Sequence, residues 1–330
     1  MNMAGRKEIF NFNPNENFHY YIYWMCERMS IFWQRYYDFD GELTDDPILQ
    51  EFKFTNVYRC LDRVSNYLIG NVIYDGKERE PENIFARILL FKHFNKIETW
   101  EAIEKNFGEV NLETLYDPEV PKFLKAQKEP MYSNAYITPC HFYQAEKYQY
   151  LKGWEKVDAY FDIFRKEIFE NGFIYKVLDS KSMEEMFNHF LSLDIYGDFL
   201  AQQYTIDMMY SPLVDFDENE FIVAGPGAKR GIGWTFDITG KPNYSEIIKW
   251  VHANFWELVD KYGEGVEFLP LPNREPTLID LQNCFCETSK YSKGLGNRFN
   301  KKHNERIKNT FKPNKNKIIY KFPPKWGISL

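Results

Sequence analysis

Apolar residues recur at three- and four-residue spacing along most of the chain, and this spacing constrains its fold more than any other feature. A period near 3.6 residues places such side chains on one face of an amphipathic helix. Alternation typical of a strand is scarce, with Phe173–Val177 as the best example, and Val110–Tyr132 and Gly263–Pro276 are predicted to be long loops. The chain is therefore predicted to be mainly α. The predicted helical segments are Glu16–Tyr37, Asp46–Ile69, Asn83–Phe94, Ile97–Phe107, Tyr150–Asn171, Ser182–Leu193, Phe199–Tyr210 and Tyr244–Tyr262.

Length and composition exclude several classes of protein. The 330 residues are 44% hydrophobic and 27% charged, values typical of a globular chain and not of a disordered one. No apolar run is long enough to span a membrane and no signal layout opens the chain, so a cytoplasmic protein is expected. Cysteines and histidines are scattered without metal-ligand spacing, so neither a metal nor a cofactor is expected. Separately, the chain is expected to act as a monomer.

The charge of the chain is distributed unevenly. The segment Ser289–Leu330 carries twelve Lys or Arg residues and one acid, Glu305, although the whole chain has a net charge of −7. A basic end on an acidic body indicates contact with a polyanion such as DNA. A solvated tail that only aids solubility is the alternative.

A glycine-rich turn lies in the middle of Asp217–Phe236. Asp217 and Glu220 have the spacing of a capping pair, which predicts a short helix through Val223. Gly225-Pro226-Gly227 then forces a turn, after which a second helix can direct its N–H groups at a phosphate. Lys229 and Arg230 would add positive charge there, although an ordinary loop fits the same pattern. The GxxxxGK[ST] spacing of a phosphate-binding loop does not occur in the sequence.

The segment Thr277–Tyr291 is predicted to be a helix with a carboxylate in its first turn. Asp280, Cys284 and Glu287 fall at i, i+4 and i+7, on one face. The helix dipole favours an ionised Asp280, which suits a group that stabilises a cationic sugar or activates a water. Helix capping by Asp280 is the alternative interpretation.

Three further segments interleave polar and aromatic side chains. In 52–69, Arg59 and Arg63 lie along one helix edge, where they could contact phosphate or form surface ion pairs. Polar side chains in 199–211 and around 132–136 could either form a buried polar network or bind a base. The residues predicted to form a base pocket are Tyr132, Asn134, Tyr136, Asn56, Gln203 and Asp207.

The chain resembles one family in four segments, which read in order FKFTNVYRCLDRVSNYLI, FLAQQYTIDMMYS, FIVAGPGAKRGI and TLIDLQNCFCETSKY. That family is the helical domain of 5-hydroxymethyluracil DNA kinase, grouped with the alpha-glutamyl/putrescinyl thymine pyrophosphorylases. The resemblance covers about Ile31 to Tyr291 and implies a branch of the helix–hairpin–helix DNA glycosylase superfamily. It implies two helical lobes with a cleft between them, predicted over residues 1–296. The Lys- and Asn-rich composition of the remainder predicts a basic C-terminal segment over 297–330.

The resemblance also implies roles for individual residues. AGPGAKRG is similar to the hairpin pattern PGxGxK, and it places Lys229 where bifunctional glycosylases keep a Schiff-base lysine. Ile247 stands where the catalytic Asp of the superfamily is usual, so Asp280 is assigned across an insertion. The implied catalytic residues are Asp280, Lys229 and Glu287. The implied DNA-binding residues are Gly225, Gly227, Lys229, Arg230, Lys290, Arg59 and Arg63.

Three functions follow as hypotheses. The first is a glycosylase-like enzyme that flips a hypermodified pyrimidine, such as a glucosylated hydroxymethylcytosine, out of double-stranded phage DNA and leaves an abasic site, in anti-phage defence. The second is a transferase that joins an amine or amino acid to a pyrophosphorylated hydroxymethyluracil in phage DNA. The third is a DNA-binding module without catalysis.

Overall fold

Helices dominate the computed structural model, which describes residues 12–263, 265–299, 307, 309–312 and 318–330. The structure is 58% helical. Within the described residues the only β-type pairings are three isolated bridges, so the prediction of a mainly α protein is confirmed. No helix in these ranges is both long and apolar enough to cross a membrane.

Fourteen α-helices occur in the described ranges. They are α1 (Phe18–Tyr36), α2 (Pro47–Glu51), α3 (Arg63–Tyr67), α4 (Pro81–Phe94), α5 (Ile97–Phe107), α6 (Glu119–Ala126), α7 (Lys156–Ile163), α8 (Phe173–Leu178), α9 (Met183–Leu191), α10 (Asp198–Met209), α11 (Pro226–Thr235), α12 (Tyr244–Ala253), α13 (Phe255–Tyr262) and α14 (Leu278–Phe299). Short 3₁₀ helices are Arg59–Leu61, Leu112–Leu115, Phe142–Gln144, Glu146–Leu151 and Pro324–Trp326, and π-helices are Leu68–Ile73 and Phe164–Glu170.

Most predicted helices are present, but several boundaries differ. The predicted helix Asp46–Ile69 begins as expected, since Asp46 caps α2 by accepting the N–H groups of Ile48 and Leu49 at 2.7 and 3.0 Å. It is broken after Glu51, where α2 ends and the chain is irregular up to the 3₁₀ helix at Arg59. The predicted strand Phe173–Val177 is wrong, because these residues form α8. A short and mostly apolar segment fits either period, and here the chain passes from the left-handed Gly172 (φ 71°) directly into a helix. The predicted loop Val110–Tyr132 contains α6.

The predicted short helix from Asp217 to Val223 is also wrong. This segment is a turn followed by irregular chain. The Asp217 carboxylate accepts the N–H of Asn219 at 2.8 Å, which closes a local turn instead of capping a helix. The Glu220 carboxylate accepts the N–H of Met183 at the start of α9.

The described residues divide into two compact units. Unit 1 comprises those of 1–57, 224–270 and 276–317, with α1, α2 and α11 to α14. Unit 2 comprises 58–223, 271–275 and 318–330, with α3 to α10.

In unit 1, α11 and α14 pack with their backbones unusually close. A methyl group added at Gly227 would overlap the Cys286 sulfur, and one added at Gly231 would overlap the Phe285 carbonyl group. The N–H of Gly225 donates to the Gln282 side chain at 3.0 Å, which fixes the start of α11 against α14. The glycines of this segment therefore permit helix contact.

In unit 2, α4 is buried on nearly every side. Its Arg87 is fully buried and donates to the carbonyl oxygens of Val72 and Val110 at 2.7 and 2.6 Å. These bonds satisfy carbonyl groups at the end of one helical segment and at the start of a loop. Arg87 thus links α4 to one segment that precedes it and one that follows it in the sequence.

The C-terminal residues 318–330 pack within unit 2. The Lys325 ammonium donates to the carbonyl oxygens of Val214 and Ser211 at 2.8 and 3.2 Å. The Arg274 guanidinium lies 3.5 Å from the centre of the Trp326 ring. Of the basic segment predicted over 297–330, most of 300–317 lies outside the described residues, and the division at residue 296 stays a prediction.

The close approach of α11 and α14 gives a first prediction. Gly231→Ala is expected to lower the free energy of unfolding by about 1–3 kcal/mol, because the new methyl group meets backbone that cannot move independently. Gly233→Ala, in the same helix with open space around it, is expected to stabilise by about 0.5–1 kcal/mol. Urea denaturation of both variants tests this, and equal effects would contradict the packing argument.

Candidate functional site

The predicted site residues fall into both units, and each unit is described separately. Unit 1 contains Asn56, Gly225, Gly227, Lys229, Arg230, Asp280, Glu287 and Lys290. Unit 2 contains Arg59, Arg63, Tyr132, Asn134, Tyr136, Gln203 and Asp207.

In unit 1, Asp280 lies in the first turn of α14 and is 3% exposed. Its carboxylate accepts hydrogen bonds from the backbone N–H and the hydroxyl of Thr277, both at 3.0 Å. This is the geometry of a helix cap, the alternative that the sequence left open. The catalytic role of Asp280 stays a prediction.

Glu287, the second carboxylate on this face, ties α14 to a neighbouring segment. One of its oxygens accepts the N–H of Thr55 at 2.9 Å and contacts the Lys290 ammonium at 3.1 Å. Lys290 also donates to the carbonyl oxygen of Lys53. Asn56, next to Thr55, accepts from Arg28 at 3.2 Å. These side chains hold the segment 53–56 in place.

Lys229 and Arg230 lie on the exposed side of α11. The Lys229 ammonium is 5.7 Å from the centre of the Tyr244 ring. Gly227, on the opposite side of the same helix, contacts α14. Gly227 and Gly231 of this helix thus face α14, whereas Lys229 and Arg230 face solvent, where a phosphate could bind.

In unit 2, Arg59 is 2% exposed and has three side-chain partners on or beside α10. Its guanidinium donates to Asp207 at 2.6 Å, Tyr210 at 2.8 Å and Gln203 at 3.2 Å. Burial opposes its charge, but Tyr210 and Asp207 outweigh that effect and raise the pKa of Arg59 above its usual value. This guanidinium lies in the interior of unit 2, and the DNA contact predicted for Arg59 stays a prediction.

The same carboxylate holds a second cation. The other oxygen of Asp207 lies 3.0 Å from the Lys92 ammonium, and Lys92 is 2% exposed. Burial lowers the pKa of Lys92 to about 8, with Asp207 acting in the opposite direction. The Tyr136 ring covers this ammonium at 4.1 Å and stacks on Phe199.

Tyr136 adopts a strained backbone conformation. Its φ of 56° lies in the left-handed region, which is rare for a bulky residue. Such strain persists where surrounding contacts fix it, and it concentrates at functional sites. The contacts with Lys92 and Phe199 supply that restraint here.

A neutral pair lies beside the charged cluster. The His93 ring nitrogen Nε2 is 3.1 Å from the Tyr132 hydroxyl. Burial, and secondarily the charge of Lys156, lowers the pKa of His93 well below its usual value. The imidazole is therefore uncharged at neutral pH.

Two predicted residues of unit 2 lie outside this cluster. Arg63 forms an exposed ion pair with Glu98 at 3.3 Å, which matches the surface alternative in the sequence. Asn134 is exposed in the segment between Tyr132 and Tyr136. Gln203 and Asp207 contact Arg59, and Tyr136 covers Lys92, while the base pocket predicted from these residues stays a prediction.

Sequence reasoning missed Lys92, His93 and Tyr210. The signal was present in α4, where a Lys-His pair interrupts the apolar run ILLFKHF. A helix that is apolar on most sides is buried, so its charged residues need buried partners. We name the group Arg59, Lys92, Gln203, Asp207 and Tyr210 the ionic cluster.

The ionic cluster can serve chemistry that involves an anion or a proton. Two cations share one carboxylate, and a lysine with a lowered pKa can exchange a proton near neutral pH. Within the described ranges, no three His, Cys, Asp or Glu side chains lie close enough together to hold a metal ion.

Comparison with known proteins connects both units to one family. Residues 15–301 match the family described as the helical domain of 5-hmdU DNA kinase. The chain is 25% identical over 295 residues to the 5-hmdU DNA kinase of Bacillus phage SP10. This alignment covers 81% of the chain but 43% of the relative, so the chain spans less than half of that protein. No solved structure matches.

The buried Lys92 gives a second prediction, on pH dependence. Between about pH 8 and 10.4, the unfolded chain holds the lysine proton while the folded chain has released it, so a rise in pH favours folding. The free energy of unfolding of the native protein, relative to Lys92→Met, is therefore expected to increase from pH 8 to 9.5. Below pH 8 the difference should be constant.

Urea denaturation at several pH values measures this difference. The matched control is Lys122→Met, which removes a lysine that is 73% exposed and should give a curve parallel to that of the native protein. A parallel curve for Lys92→Met would show that Lys92 does not titrate in this window.

Proposed function

Because the chain belongs to the family of 5-hmdU DNA kinase helical domains, we propose that it acts in the modification of 5-hydroxymethyluracil in DNA. Its part in the reaction is to bind the DNA and hold the pyrimidine for chemistry at the 5-hydroxymethyl group. The glycosidic bond stays intact in such a reaction. Phage DNA is the proposed substrate, since the matched relative is a phage protein named for this base.

The observation that carries the proposal is the ionic cluster inside the matched region. Arg59, Lys92 and Asp207 are each 3% exposed or less in their side chains. Removing such charges from water costs several kcal/mol per ion, a cost that folding alone does not require. Cations in a region sheltered from water stabilise charge that develops on a transferred phosphoryl or pyrophosphoryl group.

We propose that another component binds the nucleoside triphosphate. The sequence has no GxxxxGK[ST] loop, and the relative extends well beyond the aligned region. This chain would then contribute DNA binding through the exposed cations of α11 and base handling through the ionic cluster. Double-stranded DNA with a modified pyrimidine remains the proposed partner.

Modification has better support than base removal. The family and the relative are both named for a kinase, whereas the carboxylate assigned to glycosidic chemistry, Asp280, is bonded to Thr277 as a helix cap. We retain the placement in the helix–hairpin–helix glycosylase superfamily, with its two lobes, as a proposal. The start of α11 within the glycine-rich segment, with Gly225 as its N-cap, supports it, whereas the irregular chain at 217–223 and the absence of a turn at Gly225 depart from it.

Nucleoside analysis tests the proposal. The protein is incubated with duplex DNA containing 5-hydroxymethyluracil, thymine or 5-hydroxymethylcytosine, with and without ATP and a polyamine, and the digested DNA is examined by mass spectrometry. We expect preferential binding of the 5-hydroxymethyluracil duplex by this chain alone, and a nucleoside altered at the 5-methylene group once a separate ATP-binding component is supplied. Asp207→Asn should abolish the alteration, and Asp280→Asn should leave it in place.

Other products would change the assignment. Abasic sites would establish the glycosylase instead, and Asp280→Asn should then be inactive. Equal binding of all three duplexes without any altered nucleoside would contradict both reactions.

The exposed cations of α11 give a further prediction. Lys229→Ala is expected to weaken binding of duplex DNA and to reduce the slope of log K against log salt by about 0.9, the value for one lost phosphate contact. Lys261→Ala is the matched control, since Lys261 is also exposed and also lies near a tyrosine ring, at 5.0 Å. Fluorescence anisotropy from low to moderate salt measures both slopes, and identical slopes would exclude Lys229 from the interface.

A further inference from the structure

A concave site in unit 2 is used by none of the chemistry above. It has a volume of about 500 Å³ and lies between the 3₁₀ helices around 142–151 and the first residue of α7. The seven residues that line it include three aromatic side chains and two lysines, and none is acidic. The residues that matter here are Phe142, Tyr143, Trp154, Lys152 and Lys156.

The aromatic part of the site combines a buried floor with an open rim. Phe142 is 4% exposed and meets Tyr143 edge to face at 5.8 Å. Trp154 is 46% exposed, although it is the largest side chain in the site. An exposed indole beside a pocket is suited to stacking on a planar ring.

The basic part of the site is held in position. The Lys156 ammonium donates to the carbonyl oxygen of Thr138 at 2.7 Å and lies 4.0 Å from the centre of the Tyr132 ring. The ammonium carries three N–H groups, so it can still donate a hydrogen bond to a bound anion. Burial lowers the pKa of Lys156, and an anion in the pocket would counteract that effect.

The turn between the two lysines opens the pocket. Gly153 has a φ of 90°, which other residues rarely adopt, and nothing lies within 4 Å of the position that a side chain would occupy. Lys152 is exposed beside it. Both lysines line the site.

A larger concavity elsewhere in unit 2 lacks this chemistry. Its volume is about 690 Å³, and it is lined by Gln144–Lys147 and Asp194 without an aromatic floor. Its lysine, Lys147, is already paired with Asp194 at 3.1 Å. Volume alone thus does not identify a ligand. The site at Trp154 is chosen because its aromatic rings lie beside two lysines that form no ion pair within the described ranges.

We propose that the pocket at Trp154 binds a nucleotide, with its base stacked on Trp154 and its phosphate held by Lys152 and Lys156. A base joined to a phosphate can come from an unpaired stretch of DNA or from a free nucleotide. The volume suits one nucleotide, within the range of small-ligand sites. This site goes beyond base modification and does not depend on it.

Binding of a fluorescein-labelled oligothymidylate of about eight nucleotides tests the site. Trp154→Ala is expected to weaken binding by about 5- to 100-fold, the loss typical of one stacked base. Lys152→Ala should lower the salt slope by about 0.7, the single-strand value for one contact. The matched control is Trp256→Ala in unit 1, since Trp256 is 41% exposed and should leave affinity within twofold.

Competition with dTMP separates the two sources. Displacement of the oligonucleotide from the native protein, but not from Trp154→Ala, identifies a site for a free nucleotide. No displacement, together with weaker oligonucleotide binding by Trp154→Ala, identifies a site for a nucleotide within a strand. Equal affinities of Trp154→Ala and Trp256→Ala for both ligands would overturn the proposal, as would failure of the native protein to bind either one.

Discussion

One carboxylate, that of Asp207, holds two buried cations, and the interior of unit 2 depends on this arrangement. Arg59 comes from a 3₁₀ helix, Lys92 from α4 and Asp207 from α10, so a single acid fixes three segments that are distant in sequence. Loss of one partner would leave an unpaired charge in the interior, which typically costs about 3–5 kcal/mol. The free-energy cost of burying these charges makes the ionic cluster the best candidate for chemistry, because a fold without function could fill this space with apolar side chains.

Unit 1 depends on a different constraint, the close approach of α11 and α14. Gly227 and Gly231 lie one turn apart on the face of α11 that meets α14, and larger residues would separate the helices. Lys229 and Arg230 occupy the solvent side of the same helix. In the short sequence GPGAKRG, Gly227 and Gly231 therefore permit helix packing while the two cations stay exposed to solvent.

The comparisons move the proposed reaction from removal of a base to modification of a base. The family resemblance in the four sequence segments is confirmed by the match over residues 15–301. The glycosylase reaction rested on Asp280 and on an analogy with a wider superfamily. The hydrogen bonds that Thr277 donates to Asp280 give this carboxylate a helix-capping role. The spacing of the two residues in the sequence also permitted that role. A fold or a capping pattern does not identify a reaction; the side chains that meet in space must do so.

The sequence by itself determined the helical class, the positions of α1, α4, α5, α9 and α10, and the family, because hydrophobic period and local motifs are properties of neighbouring residues. It also placed Gln203 and Asp207 among buried polar groups. Local patterns did not settle α8, where a short and mostly apolar segment fits both helix and strand. Nor did they settle 217–223, where Asp217 closes a local turn and Glu220 accepts from Met183 in another segment. Only the tertiary structure decided that Arg59 points into the interior and that Lys92 meets Asp207, since burial and pairing of charges depend on residues more than a hundred positions apart.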